Sequence, residues 1–311
     1  MNTLRHAVQE YLILRRSLGF KLRDAGKLLQ AYVRFMEEQR APYITTKLAL
    51  AWAQQASAVQ PAEWARRLSV VRIFARHRSA TDPRTQIPPE GLLPYRPKRA
   101  RPYLYSAQEI RCFLRAALSL PARGGLQPWT YHCLFGLLSV TGMRIGEARN
   151  LELQDVDLRT GVLTIRSGKF GKSRLIPIHA STRRVLADYL ARRDRKWAAR
   201  PVSSYVFLSN WGNQLDGGEI RRTFYALSRR IGLRGRSDSH GPRLHDMRHR
   251  FAVMALLRWY RSGKDVERKL PYLSAYLGHV HVRDTYWYLS AWPELMREAM
   301  SRLERCWEGQ S

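Results

Sequence analysis

Three short motifs and one turn carry residues able to do chemistry together. The first is Thr141-Gly-Met-Arg144-Ile-Gly-Glu147, the second His245-Asp-Met-Arg248, and the third Leu277-Gly-His279, followed nine residues later by Tyr288. Between the first two lies Gly168-Lys169-Phe-Gly-Lys172-Ser-Arg174. The set offers two guanidiniums, two imidazoles, a lysine and a phenol, and it suits displacement at a phosphodiester. Such a displacement spreads negative charge over the nonbridging oxygens, which Arg144 and Arg248 can neutralise through bidentate hydrogen bonds. Two arginines in that role replace the metal that a nuclease with an acidic cluster would use. His245 and Arg248 are three apart, so a helix presents both toward one phosphate. A phenol, with a pKa of about 10, must lose its proton to attack, and an adjacent imidazole (His245) favours that loss. The leaving oxygen needs a proton in turn, and Lys169 on a hairpin is the best-placed general acid. Tyr286-Trp287-Tyr288 offers two candidate nucleophiles. A phosphotyrosyl product keeps the energy of the ester, so rejoining requires no ATP and no cofactor.

The elements that must position these groups can be read from periodicity and caps. Four amphipathic helices precede residue 82. Their apolar faces are Leu4, Val8, Tyr11 and Leu12; Leu28, Leu29, Tyr32, Val33 and Met36; Leu48 and Trp52 after Thr45–Thr46 caps; and Trp64, Leu68, Val71 and Ala75 after Pro61. The last of them carries Arg66, Arg67, Arg72, Arg76 and Arg78 on its other face, an array expected to meet phosphates. Residues 82–105 are rich in proline and basic residues and read as an extended linker. A capping box, Ser106-Ala-Gln-Glu109, opens the next helix. The rest reads as helices near 128–140, 145–152, 181–195, 217–231, 244–261, 271–277, 282–289 and 293–307, with a hairpin of 162–166 and 174–178 around Gly168–Ser173. The expected fold is mainly α with a small antiparallel β-sheet, in two domains: 1–81 and 106–311.

Composition narrows the class of partner. The chain has 311 residues with 54 Lys+Arg against 25 Asp+Glu, a net charge of +29. Residues 1–100 hold 18 basic and 7 acidic residues, and residues 101–311 hold 36 and 18, so both halves are expected to touch a polyanion. Cys112, Cys133 and Cys306 have no metal-ligand spacing; they suit a reducing cytoplasm, without disulfides or structural zinc. No apolar leader or membrane-length run is visible, so the protein is expected to be soluble and cytoplasmic, without a membrane partner.

These motifs, in this order and spacing, resemble the tyrosine recombinase (phage-integrase) family over roughly residues 100–290. The family pattern is an arginine in a TGxRxxE turn, a hairpin lysine, HxxR, LGH/W and a terminal tyrosine. The resemblance implies a two-domain DNA clamp, with a helical core-binding domain and a catalytic domain. It implies Arg144, Lys169, His245, Arg248 and His279 as catalytic residues and Tyr288, nine residues after His279, as nucleophile. His279 would position more than transfer protons, since the family tolerates tryptophan there. Glu147 would hold Arg144. Lys172, Arg174, His249 and Arg250 are assigned to backbone contacts or surface. The implied partner is double-stranded DNA, with a homotetramer on DNA and a monomer or weak oligomer without it. Helix 293–307, with Leu295, Met296, Ala299, Met300 and Leu303 as an apolar stripe, would dock on a neighbouring subunit. The wording around Leu270–Ser274 and Thr285–Leu289 is similar to recombinases of mobile elements, which points to integration or transposition. Type IB topoisomerases share the chemistry and stand as the alternative, as does an idle DNA-binding regulator on the same scaffold.

Overall fold

The computed structural model describes residues 3–57, 59–95, 102–122, 125–166, 173–238, 241–290 and 292–308. The chain divides into two compact units, 1–100 and 101–311. Among the described residues, no helix is long and apolar enough to cross a membrane.

Unit 1 is built from helices α1 (Leu4–Ser17), α2 (Arg23–Glu38), α3 (Thr46–Gln54) and α4 (Pro61–Arg78). The Thr3 and Thr45 hydroxyls cap α1 and α3 by accepting from the amides of His6 and Leu48. Tyr11, Leu12, Leu29, Tyr32, Met36, Trp52, Leu68 and Phe74 fill the core between them. Most of the arginines of α4 have partners inside this unit. Arg66 pairs with Glu63 at 2.6 Å. Arg67 lies over the Trp52 ring and donates to the Trp52 carbonyl. Arg72 donates to the carbonyls of Pro88 and Pro89, and Arg78 pairs with Asp82. Helical periodicity shows which face an arginine occupies, but not which carbonyls the chain brings back to it. The start of the expected linker also has partners inside unit 1. Gln86 donates its amide to the Ile44 carbonyl and its side-chain oxygen accepts from the Thr46 amide, which holds this stretch on unit 1.

Unit 2 contains α5 (Ala107–Leu118), α6 (Gln127–Thr141), α7 (Ile145–Arg149), strands β1 (Val156–Asp157), β2 (Val162–Ile165) and β3 (Arg174–Pro177), then α8 (Ala180–Trp197), α9 (Gly217–Arg230), α10 (Asp246–Arg261), α11 (Val266–Leu277), α12 (Arg283–Ser290) and α13 (Pro293–Glu308). The sheet is antiparallel in the order β1-β2-β3, with Val162 opposite Pro177 and Ile165 opposite Arg174. β1 has two residues, too short to show an alternation. Helix α6 is apolar nearly all round and is correspondingly central, with Tyr131, Leu134, Phe135 and Leu138 buried beside Phe113, Phe224 and the sheet residues Leu163 and Ile176. The capping box of α5 forms as expected, Ser106 and Glu109 bonding reciprocally. Tyr105, at the end of the expected linker, is buried in unit 2 and its hydroxyl donates to the Arg243 carbonyl.

A second cluster joins α10 to α13 and holds Leu256, Leu257, Leu270, Leu273, Leu277, Tyr288 and Leu295. Helix α11 starts five residues earlier than its proline suggests, because Asp265 caps it by accepting from the Arg268 amide. Pro271 then sits inside the helix. Its cost there, about 3 kcal/mol, is offset by burying Val266, Leu270, Leu273 and Leu277 on one face. Helix α13 lies on its own unit in this single chain. Leu295 is buried, Arg261 pairs with Glu294 and Glu298, and Arg302 donates to the carbonyls of Gly263 and Lys264. The expected stripe is divided: Leu295 faces inward, while Met296 and Met300 are exposed.

Candidate active site

The three motifs converge on the C-terminal end of α11. The last carbonyls of a helix have no partner within it and carry the negative end of its dipole. Here three successive ones each accept from an arginine. The Tyr276 carbonyl accepts from Arg174 Nε at 2.7 Å, that of Leu277 from Arg248 Nη2 at 2.7 Å, and that of Gly278 from Arg144 Nη2 at 2.9 Å. Gly278 ends the helix at φ +67, which favours glycine, and a Cβ there would stand 2.8 Å from Arg174 Nη1 and press on that side chain.

Arg144 is presented by the turn between α6 and α7. Gly142 closes α6 at φ +61, and a Cβ on it would meet the Phe251 ring at 2.6 Å. Its carbonyl accepts from Arg248 Nη1 at 2.9 Å. Glu147 holds Arg144 twice, accepting from its backbone amide at 2.8 Å and from Nη1 at 2.9 Å. Of the five donors of a guanidinium, Arg144 and Arg248 each spend two on these partners among the described residues. Burial, then the charge of Arg144, pulls the Arg248 guanidinium down to about 10, which leaves it cationic at neutral pH.

His245 begins α10 beside Arg248. Desolvation, then the charge of Arg248, depresses its imidazole to about 4, although one side of the residue stays open to solvent. His279 is likewise held down to about 4 by desolvation and by Arg248 and Arg144. Both rings are therefore neutral at pH 7. His279 Nδ1 is paired with the buried hydroxyl of Thr285 at 2.7 Å. Its ring lies 6.2 Å from that of Tyr288 with the planes 18° apart. Tyr288 is 3% exposed, whereas the rival phenol of Tyr286 is 49% exposed. Beside Arg144 and His279 opens a cavity of about 350 Å³, lined also by Ser173, Arg174, Ser274 and Gly278. A larger hollow of about 680 Å³ lies in unit 1 and is lined by none of these residues.

The structure thus brings together Arg144, His245, Arg248, His279 and Tyr288. Lys169, with Lys172, lies outside the described residues. Two residues assigned to backbone contacts or surface belong to this centre instead. Arg174 is nearly buried and chelates Glu147 through Nη1 at 3.0 Å and Nη2 at 2.8 Å. His249 sits with its ring 4.7 Å from His245 and 5.5 Å from Tyr288. Both had a signal. Strand alternation places Arg174 on the face of buried Ile176, opposite exposed Leu175. The i, i+4 spacing puts His249 on the face of His245. Arg250, by contrast, is spent on the Tyr105 carbonyl.

Comparison with known proteins places the chain in a family. Residues 107–294 match the phage integrase family. Across 99% of both chains, the sequence is 64% identical to y4rB of Sinorhizobium fredii, a protein named as an integrase/recombinase. It is 33% identical to y4rE of the same organism over 95% of this chain and 94% of that one. The fold is similar to that of the Tn1549 transposon integrase in complex with transposon right-end DNA, with a TM-score of 0.65 at 16% identity over 96% of this chain and 98% of that one. It is similar also to lambda integrase in a tetramer bound to a Holliday junction, with a TM-score of 0.58 at 20% identity over 90% and 78%. The chain belongs to the phage integrase family, the tyrosine recombinases.

Proposed function

We propose that this protein cleaves and rejoins DNA strands in site-specific recombination through a 3′-phosphotyrosyl bond at Tyr288, with no metal and no ATP. The observation that carries this reading is the convergence of two buried or half-buried guanidiniums, Arg144 and Arg248, on the site that holds His245, His279 and Tyr288. Tyr288 Oη attacks phosphorus, and its proton passes to a neutral acceptor, for which His245 is the candidate. The unspent donors of Arg144 and Arg248 take the charge on the nonbridging oxygens. The bond from phosphorus to the 5′ oxygen breaks, and that oxygen leaves with a proton, from Lys169 by the family pattern. Rejoining reverses each step: a 5′-hydroxyl attacks the phosphotyrosyl ester and Tyr288 regains its proton.

The partner in this reading is double-stranded DNA, approached by both basic halves of the chain, with four protomers assembling on it for a complete exchange. The two S. fredii relatives and the DNA-bound integrases of similar fold support the same reading. A nicked suicide substrate, which loses its 5′-hydroxyl fragment on cleavage, tests it directly. The protein should form a denaturant-resistant adduct with such DNA in EDTA; an absolute requirement for a divalent cation would reject the arginine-based mechanism.

A further inference from the structure

We propose that Arg174 is a positioning residue for strand cleavage: it engages Glu147 so that this carboxylate can fix Arg144 without cancelling its charge. The inference rests on the phosphotyrosyl reading above and adds a residue to it.

Among the described residues, Glu147 is the one carboxylate bonded to both arginines, and it accepts from four donors. Arg144 supplies its backbone amide and Nη1; Arg174 supplies Nη1 and Nη2. With two guanidiniums against one carboxylate, the trio carries a net charge of +1, and Arg248 brings the centre to +2. Burial works to raise the Glu147 carboxyl, but hydrogen bonds and charge from Arg174 and Arg144 hold it below the usual carboxylate range, so it stays ionised. A lone Glu147–Arg144 pair would be neutral. Its carboxylate could turn both oxygens onto the guanidinium in the bidentate geometry such pairs favour. Arg144 would then lose donors as well as charge at the moment a phosphate needed both.

Arg174 is built in for this task. It leaves β3 on the core-facing side, is 12% exposed, and has its Nε anchored on the Tyr276 carbonyl next to the carbonyls that hold Arg248 and Arg144. A side chain at position 278 would displace it, and glycine stands there. Lysine cannot reproduce this contact set, because an ammonium lacks the planar fork that chelates a carboxylate while a third nitrogen bonds elsewhere.

The test is a double-mutant cycle of Arg174→Gln and Glu147→Gln, read as the single-turnover rate of adduct formation on the suicide substrate, with DNA affinity and melting temperature measured alongside. Arg174→Gln should slow cleavage by about ten- to hundredfold, the usual range for a group that orients a reacting one, with DNA affinity close to that of the unaltered protein. The double variant should cleave faster than Arg174→Gln alone, because the unmatched carboxylate is gone. By NMR, the His279 imidazole should titrate higher in Arg174→Gln, a shift that a purely packing role would not produce. If the glutamine variant melts early, the same cycle with Arg174→Lys decides, since that change keeps a cation in the pocket. Unaltered cleavage by Arg174→Gln, or zero coupling to Glu147 in the lysine cycle, overturns the inference. A parent protein that forms no adduct would instead overturn the phosphotyrosyl reading and take this inference with it.

Discussion

The His279 ring lies nearly parallel to the Tyr288 ring, 6.2 Å away, and its Nδ1 is tied to Thr285, three residues before that tyrosine. The histidine at the end of α11 thereby fixes the start of α12, and with it the place of the phenol. Tyr288 is also enclosed by Trp287 and His249. In this state Tyr288 is buried.

Acidity should weaken the fold through the site histidines. His245 and His279 are held at about 4 in the folded chain, against about 6.5 when unfolded. Between these values the unfolded chain binds protons that the folded one refuses. The stability they contribute is therefore whole above pH of about 6.5 and is lost as pH falls toward about 4. Denaturation midpoints across this window, with NMR titration of both imidazoles, check the sign; rings titrating near 6.5 in the folded protein would contradict it.

Gly142→Ala should damage both stability and cleavage. The backbone at φ +61 penalises a side chain by about 1–3 kcal/mol, and the new Cβ would stand 2.6 Å from the Phe251 ring. Because the Gly142 carbonyl holds Arg248, a shift of this turn moves the guanidinium that the proposed mechanism relies on. Thermal melting and the adduct rate should fall together, and an alanine variant with unchanged melting would show that the turn relaxes freely.

Removing residues 293–311 should destabilise unit 2 rather than leave it intact. Deletion uncovers the face of α10 against which α13 packs, takes away buried Leu295, worth roughly 1.5–3 kcal/mol, and breaks the Arg261 pairs with Glu294 and Glu298. The melting temperature of the truncated protein measures this. An unchanged value would mean that α13 leaves its own unit in solution, as the family resemblance implies for docking on a neighbour, with Met296 and Met300 already facing outward.

Much of this was legible in the sequence because local signals decided it. Thr45, Pro61, Ser106 and Glu109 mark helix starts, and Gly142 and Gly278 mark the two ends that carry the site. What escaped depends on contacts distant in the chain. Arg72 meets carbonyls sixteen and seventeen residues on, and Arg174 meets Tyr276 and Glu147, 102 and 27 residues away. No helical or strand period encodes such a pairing. Pro271 misled in another way: a cap at Asp265 and four buried apolar side chains outweighed the proline's local preference.

Tyr288, and not Tyr286, should become joined to DNA. Single-turnover reactions of Tyr288→Phe and Tyr286→Phe with a nicked suicide substrate, followed by peptide mapping of any adduct, measure this most directly. Tyr288→Phe should bind DNA but give no adduct, and Tyr286→Phe should give one mapped to the peptide containing Tyr288. An adduct from Tyr288→Phe, or one mapped to any other residue, would contradict the account.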